Sequence, residues 1–235
     1  MPSFNDWLNR ALEKYAQAVG EDVGTYVARV VAEQMVADQR RMDSASVEEL
    51  VAHLAEVGVI VELPMPDLSK VINDPERLRA LRATGLLDTP REPVYDRITR
   101  AAADALDTPR AALSLVDVDR QFFKSTSGKG MRANDEREMP LEWSVCQYTV
   151  ANGTSLVLED ARVDPTFKDH PAVLDGTVVA YLGIPLVDRH GNAIGTLCVY
   201  DSKPRMWSTG HVQILSDLAE IAADRIFGSD SGARR

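Results

Sequence analysis

Apolar residues in the first 60 positions recur at the three- and four-residue steps of helices. One set lies within residues 4–19 and a second within residues 26–35, with Gly20 between them. Residues three and four apart share one face of a helix, so each set predicts an amphipathic helix.

A third helix is indicated by Ser46 and Glu49, which have the spacing of a capping box. Two prolines follow and predict a linker over residues 64–73. The pattern therefore predicts an all-helical module over residues 1–63. About 60 residues bury little surface alone, so we expect this module to contact a partner or a second copy.

The period changes to two in the rest of the chain, which is typical of strands. Strands are predicted over residues 111–118, 121–125, 155–158, 178–187 and 193–200. Helices are predicted over residues 75–84, 93–106 and 208–227, with a further short helix carrying Cys146. The polar stretch over residues 127–140 is predicted to be a loop. This order predicts an α+β sheet with helices mainly on one face, ending in a disordered tail over residues 228–235.

Composition and charge exclude several classes of protein. The chain has 235 residues, a net charge of −10 and 45% hydrophobic residues, which fits a folded protein. Twelve acidic and 6 basic residues fall within residues 1–72, so most of the negative charge belongs to the helical module. An acidic chain without a basic patch is not expected to bind nucleic acid. We expect no membrane segment and a cytoplasmic location.

Several blocks of residues together resemble the GAF domain family in order and spacing. The first two are Phe123-Lys124-Ser125 and Ser144-Val145-Cys146-Gln147-Tyr148, and the next two are Val157-Leu158-Glu159-Asp160-Ala161 and His170-Pro171-Ala172-Val173. The last two are Tyr181-Leu182-Gly183-Ile184-Pro185-Leu186 and the run from Gly191 to Asp201. The resemblance predicts a GAF domain over residues 74–227. It implies a six-stranded antiparallel sheet, a small-ligand pocket and a sensory or regulatory role.

The resemblance also implies which side chains border the ligand pocket. They are Phe123, Cys146, Tyr148, Phe167 and Tyr181. Such a mixture of apolar, hydroxyl and thiol groups is typical of small-molecule sites, but the same side chains could instead fill the space themselves. No cofactor can be assigned from the sequence, and no metal site is expected. His170 is the best placed candidate for a haem ligand, and its alternative is a turn residue that bonds the backbone.

The two cysteines, Cys146 and Cys198, leave redox chemistry open. Cys146 lies on a short helix, where a reactive thiolate is one interpretation and core packing another. Cys198 has apolar neighbours on both sides, which favours a buried, inert sulfur.

These observations predict a signal-transduction protein, a bacterial regulator that senses a small molecule or redox state and acts through protein contact. We expect no enzymatic activity, a homodimer formed through the terminal helices over residues 75–84 and 208–227, and a basic protein partner for the acidic module. One alternative is a cysteine-dependent redox enzyme or sensor of the methionine-sulfoxide-reductase type. Another is a dimeric scaffold that binds no ligand.

Overall fold

The computed structural model describes residues 6–18, 22–41, 67–128 and 137–228. The predicted third helix, residues 129–136 of the predicted loop and nearly all of the predicted tail lie outside the described residues. The chain divides into two compact units, Met1–Pro64 and Met65–Arg235.

The first unit contains two described helices, as the apolar periodicity predicts. They are α1 (Asp6–Ala18) and α2 (Val23–Arg41). Asp22 caps α2 by accepting hydrogen bonds from the backbone amides of Gly24 and Thr25. Small residues, Ala16 and Ala32, are buried there, whereas larger apolar side chains such as Val31 remain exposed.

The second unit contains six described α-helices: α3 (Leu68–Ile72), α4 (Pro75–Ala83), α5 (Pro93–Ala105), α6 (Cys146–Asn152), α7 (Pro171–Leu174) and α8 (Thr209–Phe227). Asp74 accepts hydrogen bonds from the first amides of α4, and Pro75 occupies the first turn, where an amide would have no partner. Gly153 ends α6 with a positive φ of 65°, a conformation that glycine adopts without a Cβ clash.

The first of these helices, α3, lies inside the predicted linker over residues 64–73. Asp67 caps it by accepting a hydrogen bond from the Lys70 amide, and Ile72 is buried in the second unit. The proline pair before this helix predicted a linker. Because of the Asp67 cap, the helical part of the second unit begins earlier than predicted.

A six-stranded antiparallel sheet forms the centre of the second unit, in the order β3-β2-β1-β6-β5-β4. Its strands are β1 (Arg110–Val116), β2 (Arg120–Gly128), β3 (Glu138–Pro140), β4 (Leu156–Leu158), β5 (Ala180–Val187) and β6 (Ala193–Asp201). The periodicity missed β3, which lies in the predicted loop. Only three residues long, β3 is held by pairing with β2, with Met139 opposite Gln121.

The two faces of the sheet carry different cores. The long-helix face is the side covered by α4, α5 and α8, with Leu113, Leu197 and Leu215 fully buried. The cysteine face is the opposite side, covered by the short helices α3, α6 and α7. Side chains alternate along a strand, so neighbours on β6 point to different cores: Leu197 belongs to the first and Cys198 to the second.

One charged side chain, Lys124 of β2, is fully buried at the edge of the long-helix face. Its ammonium group donates to the Thr89 hydroxyl at 2.6 Å and the Pro90 carbonyl at 2.9 Å. It also lies 2.6 Å from a carboxylate oxygen of Glu92. These oxygens replace the water that the cation loses, so the turn before α5 is tied to β2.

The predicted fold class is confirmed: a GAF-like six-stranded antiparallel sheet with helices, preceded by a helical N-terminal region. The three long helices lie together on one face, as expected for an α+β unit. Within the part of the chain that the structure describes, no helix is long and apolar enough to cross a membrane.

Candidate functional site

A cavity of about 50 Å³ lies on the cysteine face. Its wall combines three of the predicted pocket residues, Phe123, Cys146 and Tyr181, with others that include Trp143 and Cys198. Small-molecule pockets in proteins commonly enclose about 300–1,000 Å³, so this space is small for such a ligand. The free space therefore suits a molecule not much larger than water.

Two thiols lie next to each other in the wall of this cavity. Cys146 Sγ lies 3.8 Å from Cys198 Sγ, within the range of a hydrogen bond between sulfur atoms. Both residues are buried, with 4% and 2% of their surfaces exposed. Cys146 begins α6, and Cys198 lies on the central strand β6, so the pair joins a short helix to the sheet.

The Tyr181 hydroxyl completes the surroundings of Cys146. It donates a hydrogen bond to Cys146 Sγ at 3.4 Å and lies 3.2 Å from the Thr149 hydroxyl. The ring of Tyr181 covers Gly183, where an added Cβ would lie 2.3 Å from the Tyr181 hydroxyl oxygen. A side chain at position 183 would therefore displace the group that donates to the sulfur.

The two thiols ionise unequally. The hydrogen bond with Cys198, together with the hydroxyls of Thr196, Tyr181 and Ser114, lowers the pKa of Cys146 to about 7 against the effect of burial. The same contact with Cys146, together with burial, raises the pKa of Cys198 well above its usual value. Burial also raises the pKa of Tyr181, which therefore remains a hydrogen-bond donor at neutral pH.

A chain of buried hydrogen bonds fixes the start of α6 and thus the position of Cys146. The Ser144 hydroxyl donates to the Gln121 side-chain oxygen, and the Gln121 amide donates to the Ser114 hydroxyl at 3.0 Å. Ser144 also accepts from the Gln147 backbone amide at 3.2 Å. Paired polar groups of this kind hold a buried segment in one geometry.

Two of the predicted pocket residues lie elsewhere. Tyr148 and Phe167 do not line the cavity; their rings pack edge-on with centroids 4.7 Å apart. Tyr148 follows Cys146 by two positions on a helix, so the two side chains point to different sides of α6. In the structure these two residues belong to the packing between α6 and the 160–170 segment, and their role at a ligand pocket stays a prediction.

His170 acts as a helix cap rather than as a free ligand at the cavity. Its Nδ1 accepts a hydrogen bond from the Ala172 backbone amide at 3.2 Å, and it precedes Pro171 at the start of α7. Burial lowers the pKa of His170, which keeps the ring neutral. The turn interpretation is confirmed. Among the described residues, no group of three or more histidine, cysteine or acidic side chains is placed to hold a metal ion.

The sequence interpretation missed the role of Cys198 in this site. Its apolar neighbours Leu197 and Val199 face the long helices, so they say little about the surroundings of Cys198 itself. The alternation of Thr196, Cys198 and Tyr200 on the other face was the available signal. Position alone could not show that α6 places a second thiol opposite.

Comparisons with known proteins bear on family and role. The GAF domain model matches residues 90–226. A cyclic di-GMP phosphodiesterase of Pseudomonas aeruginosa is 34% identical over 144 residues, which cover 60% of this chain and 24% of that protein. The chain thus spans about a quarter of the length of this curated relative.

Solved structures with similar folds include the GAF domain of an Acinetobacter phosphoenolpyruvate-protein phosphotransferase. It has a TM-score of 0.49 and 17% identity, and the match covers 66% of this chain and 96% of that chain. A free methionine-R-sulfoxide reductase from Neisseria meningitidis has a TM-score of 0.48 and 18% identity, with 67% and 89% covered.

One expectation requires correction. The absence of a catalytic set in the sequence led us to expect no enzymatic activity, yet the curated relative is named as an enzyme. A search of one sequence for nucleophiles and bases cannot detect the sequence similarity to the Pseudomonas protein, which extends over 144 residues. The match to the GAF domain model supports a sensory or signalling role. Because this model covers more than half of the chain, the chain belongs to the GAF domain family.

Proposed function

We propose that this protein is a redox-responsive signalling protein in which the Cys146 thiol is the input. The observation that carries the proposal is the position of Cys146: its sulfur lies in the wall of a cavity and beside three hydroxyl groups that lower its pKa. A thiolate is the reactive form of cysteine, and a lowered pKa raises its population at neutral pH. The cavity size favours a small reactive species over a large ligand.

The route from Cys146 to the rest of the chain leads through α3. Ile72 of α3 and Cys146 of α6 belong to the same buried cluster. A separate cleft of about 340 Å³ is lined by Leu68, Ile72 and Gln147, so space remains beside α3. A shift of α6 can therefore alter α3, and modification of Cys146 would act by changing the populations of two packings.

The output is proposed to be protein contact, including self-association through α4 and α8. The homodimer, the cytoplasmic location and the basic partner of the acidic module remain predictions. The homodimer is supported by exposed apolar side chains on α8, such as Ile221, which is 56% exposed. Binding of the acidic module to a basic partner should weaken as the salt concentration rises.

The proposal is tested by treating the reduced 235-residue chain with enough hydrogen peroxide to oxidise Cys146 fully. Hydrogen–deuterium exchange of residues 68–72 and sedimentation velocity are then compared with those of the untreated protein. We expect exchange in α3 and the self-association constant to change, and both changes to vanish in Cys146→Ser. An unchanged α3 and an unchanged association constant after complete oxidation of Cys146 would contradict the proposal.

A second candidate output is enzymatic, and the 34% identity with the Pseudomonas phosphodiesterase favours it. The corresponding experiment measures hydrolysis of cyclic di-GMP by the full chain in the reduced and the oxidised state. Hydrolysis that depends on the state of Cys146 would establish this output; equal rates with and without the protein would exclude it for this chain.

A further inference from the structure

We infer that Cys146 and Cys198 form a reversible intramolecular disulfide, with a small peroxide as the class of oxidant. This inference deepens the proposed function and rests on it, because it specifies what happens to the Cys146 thiol. It adds a defined product, a second reacting residue and a size limit for the oxidant.

The distance between the two sulfurs supports direct bond formation. They are 3.8 Å apart, and a disulfide bond is about 2.05 Å long, so the sulfurs must approach by about 1.8 Å. Cys146 lies in the first turn of a seven-residue helix whose far end stops at Gly153. The central strand that carries Cys198 is paired on both sides, so the movement is assigned to Cys146 and the short helix α6, and the hydrogen bonds of Ser144 at the start of α6 must rearrange as the disulfide forms.

The surroundings assign different roles to the two sulfurs. Cys146 receives a hydrogen bond from the Tyr181 hydroxyl, which stabilises a negative charge on this sulfur. The contact with Cys146, together with burial, raises the pKa of Cys198, so this thiol keeps its proton and can donate it towards the Cys146 sulfur. Cys146 is therefore the attacking thiolate, and Cys198 is the thiol that resolves the first product.

A further hydroxyl is available for an oxidised sulfur. Thr196 Oγ1 is buried and has no hydrogen-bond partner among the described groups, although it lies on the same strand face as Cys198, two positions before it. Its hydroxyl lies near enough to both sulfurs to lower the pKa of each cysteine, but it makes no hydrogen bond of standard geometry with either. An unpaired buried hydroxyl is costly, and the oxygen of a sulfenic acid would give Thr196 a partner.

The size of the cavity selects the oxidant. The free space of about 50 Å³ is small, and hydrogen peroxide, which is little larger than water, is a suitable occupant. A bulky organic hydroperoxide would have to displace cavity-wall side chains such as Trp143 before its oxygen reached Cys146. We therefore expect a strong preference for hydrogen peroxide over tertiary alkyl hydroperoxides.

The reaction balances with peroxide as the only co-reactant. The Cys146 thiolate attacks one peroxide oxygen, the O–O bond breaks, and hydroxide leaves and takes up the proton that Cys146 has lost. Cys146 is then a sulfenic acid. The Cys198 sulfur attacks the Cys146 sulfur, the S–O bond breaks, and the second water leaves with the proton of Cys198. The two sulfurs lose two electrons and peroxide gains two; a dithiol reductant reverses the bond.

The experiment uses the reduced 235-residue chain and one equivalent of hydrogen peroxide under argon. Intact-mass measurement should show the loss of two hydrogens, and peptide mapping should identify a Cys146–Cys198 cross-link that dithiothreitol removes. The chain contains two cysteines, so a monomer offers no competing protein disulfide. We expect cumene hydroperoxide to react at least tenfold more slowly.

Matched variants separate the steps. Cys198→Ser should still react and stop at a sulfenic acid that dimedone labels, whereas Cys146→Ser should lose at least tenfold in the rate of peroxide consumption. Thr196→Val, which keeps the shape of the side chain, should slow disulfide formation severalfold. Thermal melting of each variant checks that it is folded, and Cys→Ala variants replace any serine variant that is not.

Two results would overturn the inference. One is oxidation of the wild-type protein to a sulfinic acid at Cys146 without the cross-linked peptide, and the other is equal rates in Cys146→Ser and wild type. The outcome is separable from that of the proposed function. If Cys146 oxidation changes hydrogen exchange in α3 without a cross-link, the proposed function stands and the disulfide inference is wrong. If the cross-link forms and α3 is unchanged, the disulfide inference stands and the proposed function is wrong.

Discussion

The two faces of one sheet differ in what covers them. The long-helix face is covered by helices of 9, 13 and 19 residues, and Leu113, Leu197 and Leu215 are fully buried there. The cysteine face is covered by helices of 5, 7 and 4 residues and contains thiols, hydroxyls and a cavity. Short helices gain little stability by themselves, so packing alone holds them. The comparison indicates that stability is concentrated on one face and chemistry on the other.

The largest expected effect lies on the long-helix face. Leu215→Ala removes a fully buried side chain of α8 and should lower the free energy of unfolding by about 2–5 kcal/mol, measured by urea denaturation. The matched control is the neighbouring Ile214→Ala, since Ile214 is 39% exposed; its loss should be about 1 kcal/mol or less. Equal losses for the two variants would show that the buried side of α8 does not contribute the stability assigned to the long-helix face.

A smaller effect is expected at the cysteine face, in the titration of Cys146. Its pKa is lowered to about 7, so the thiolate population, followed by ultraviolet absorbance, should rise as the pH rises through about 7. Tyr181→Phe removes a donor that stabilises the thiolate, which should move the transition to higher pH. At pH 7 the thiolate population should fall about two- to fivefold.

Gly183→Ala should shift the same titration in the same direction, because it moves the Tyr181 hydroxyl instead of removing it. The added Cβ meets the Tyr181 hydroxyl and ring, so the donor moves away from Cys146 while the tyrosine itself remains. We expect a transition shifted upward, as in Tyr181→Phe. Cys146→Ser is the control, since the transition near pH 7 should disappear. A downward shift in either variant would show that the hydroxyl does not stabilise the thiolate.

The smallest effect is expected for Tyr148→Phe. Tyr148 lies outside the cavity and packs against Phe167, and the phenylalanine ring preserves this contact. The rate of peroxide consumption should change by less than about twofold and the free energy of unfolding by about 0.5 kcal/mol or less. A loss of tenfold or more would return Tyr148 to the reactive site and extend the chemistry beyond the cavity.

Periodicity predicted most of the fold because long amphipathic elements carry their own signal. The helix predicted over residues 208–227 is present as α8, Thr209–Phe227, with Leu215 and Ala219 buried as their spacing indicated. The pattern failed where pairing or capping replaces periodicity. The strand β3 has three residues and owes its structure to β2, and α3 has five residues and depends on the Asp67 cap and the burial of Ile72.

The site was predictable only in part, for a related reason. Phe123, Cys146 and Tyr181 could be assigned to the cavity through the family resemblance, which carries information about the whole fold. The contact of Cys146 with Cys198 joins residues 52 positions apart, and no local pattern encodes it. The Tyr181 hydroxyl can lie beside Cys146 Sγ only because Gly183 has no side chain. The sequence could not show this requirement, because it depends on where the ring of Tyr181 lies in the fold.

The buried ammonium of Lys124 has a consequence for how the domain opens. The cation can leave water only when the oxygens of Thr89, Pro90 and Glu92 are already in place, because an unpaired buried charge is strongly unfavourable. Docking of residues 89–92 and burial of Lys124 are therefore one event. This corner of the long-helix face opens and closes as a single cooperative unit, with no stable half-docked state.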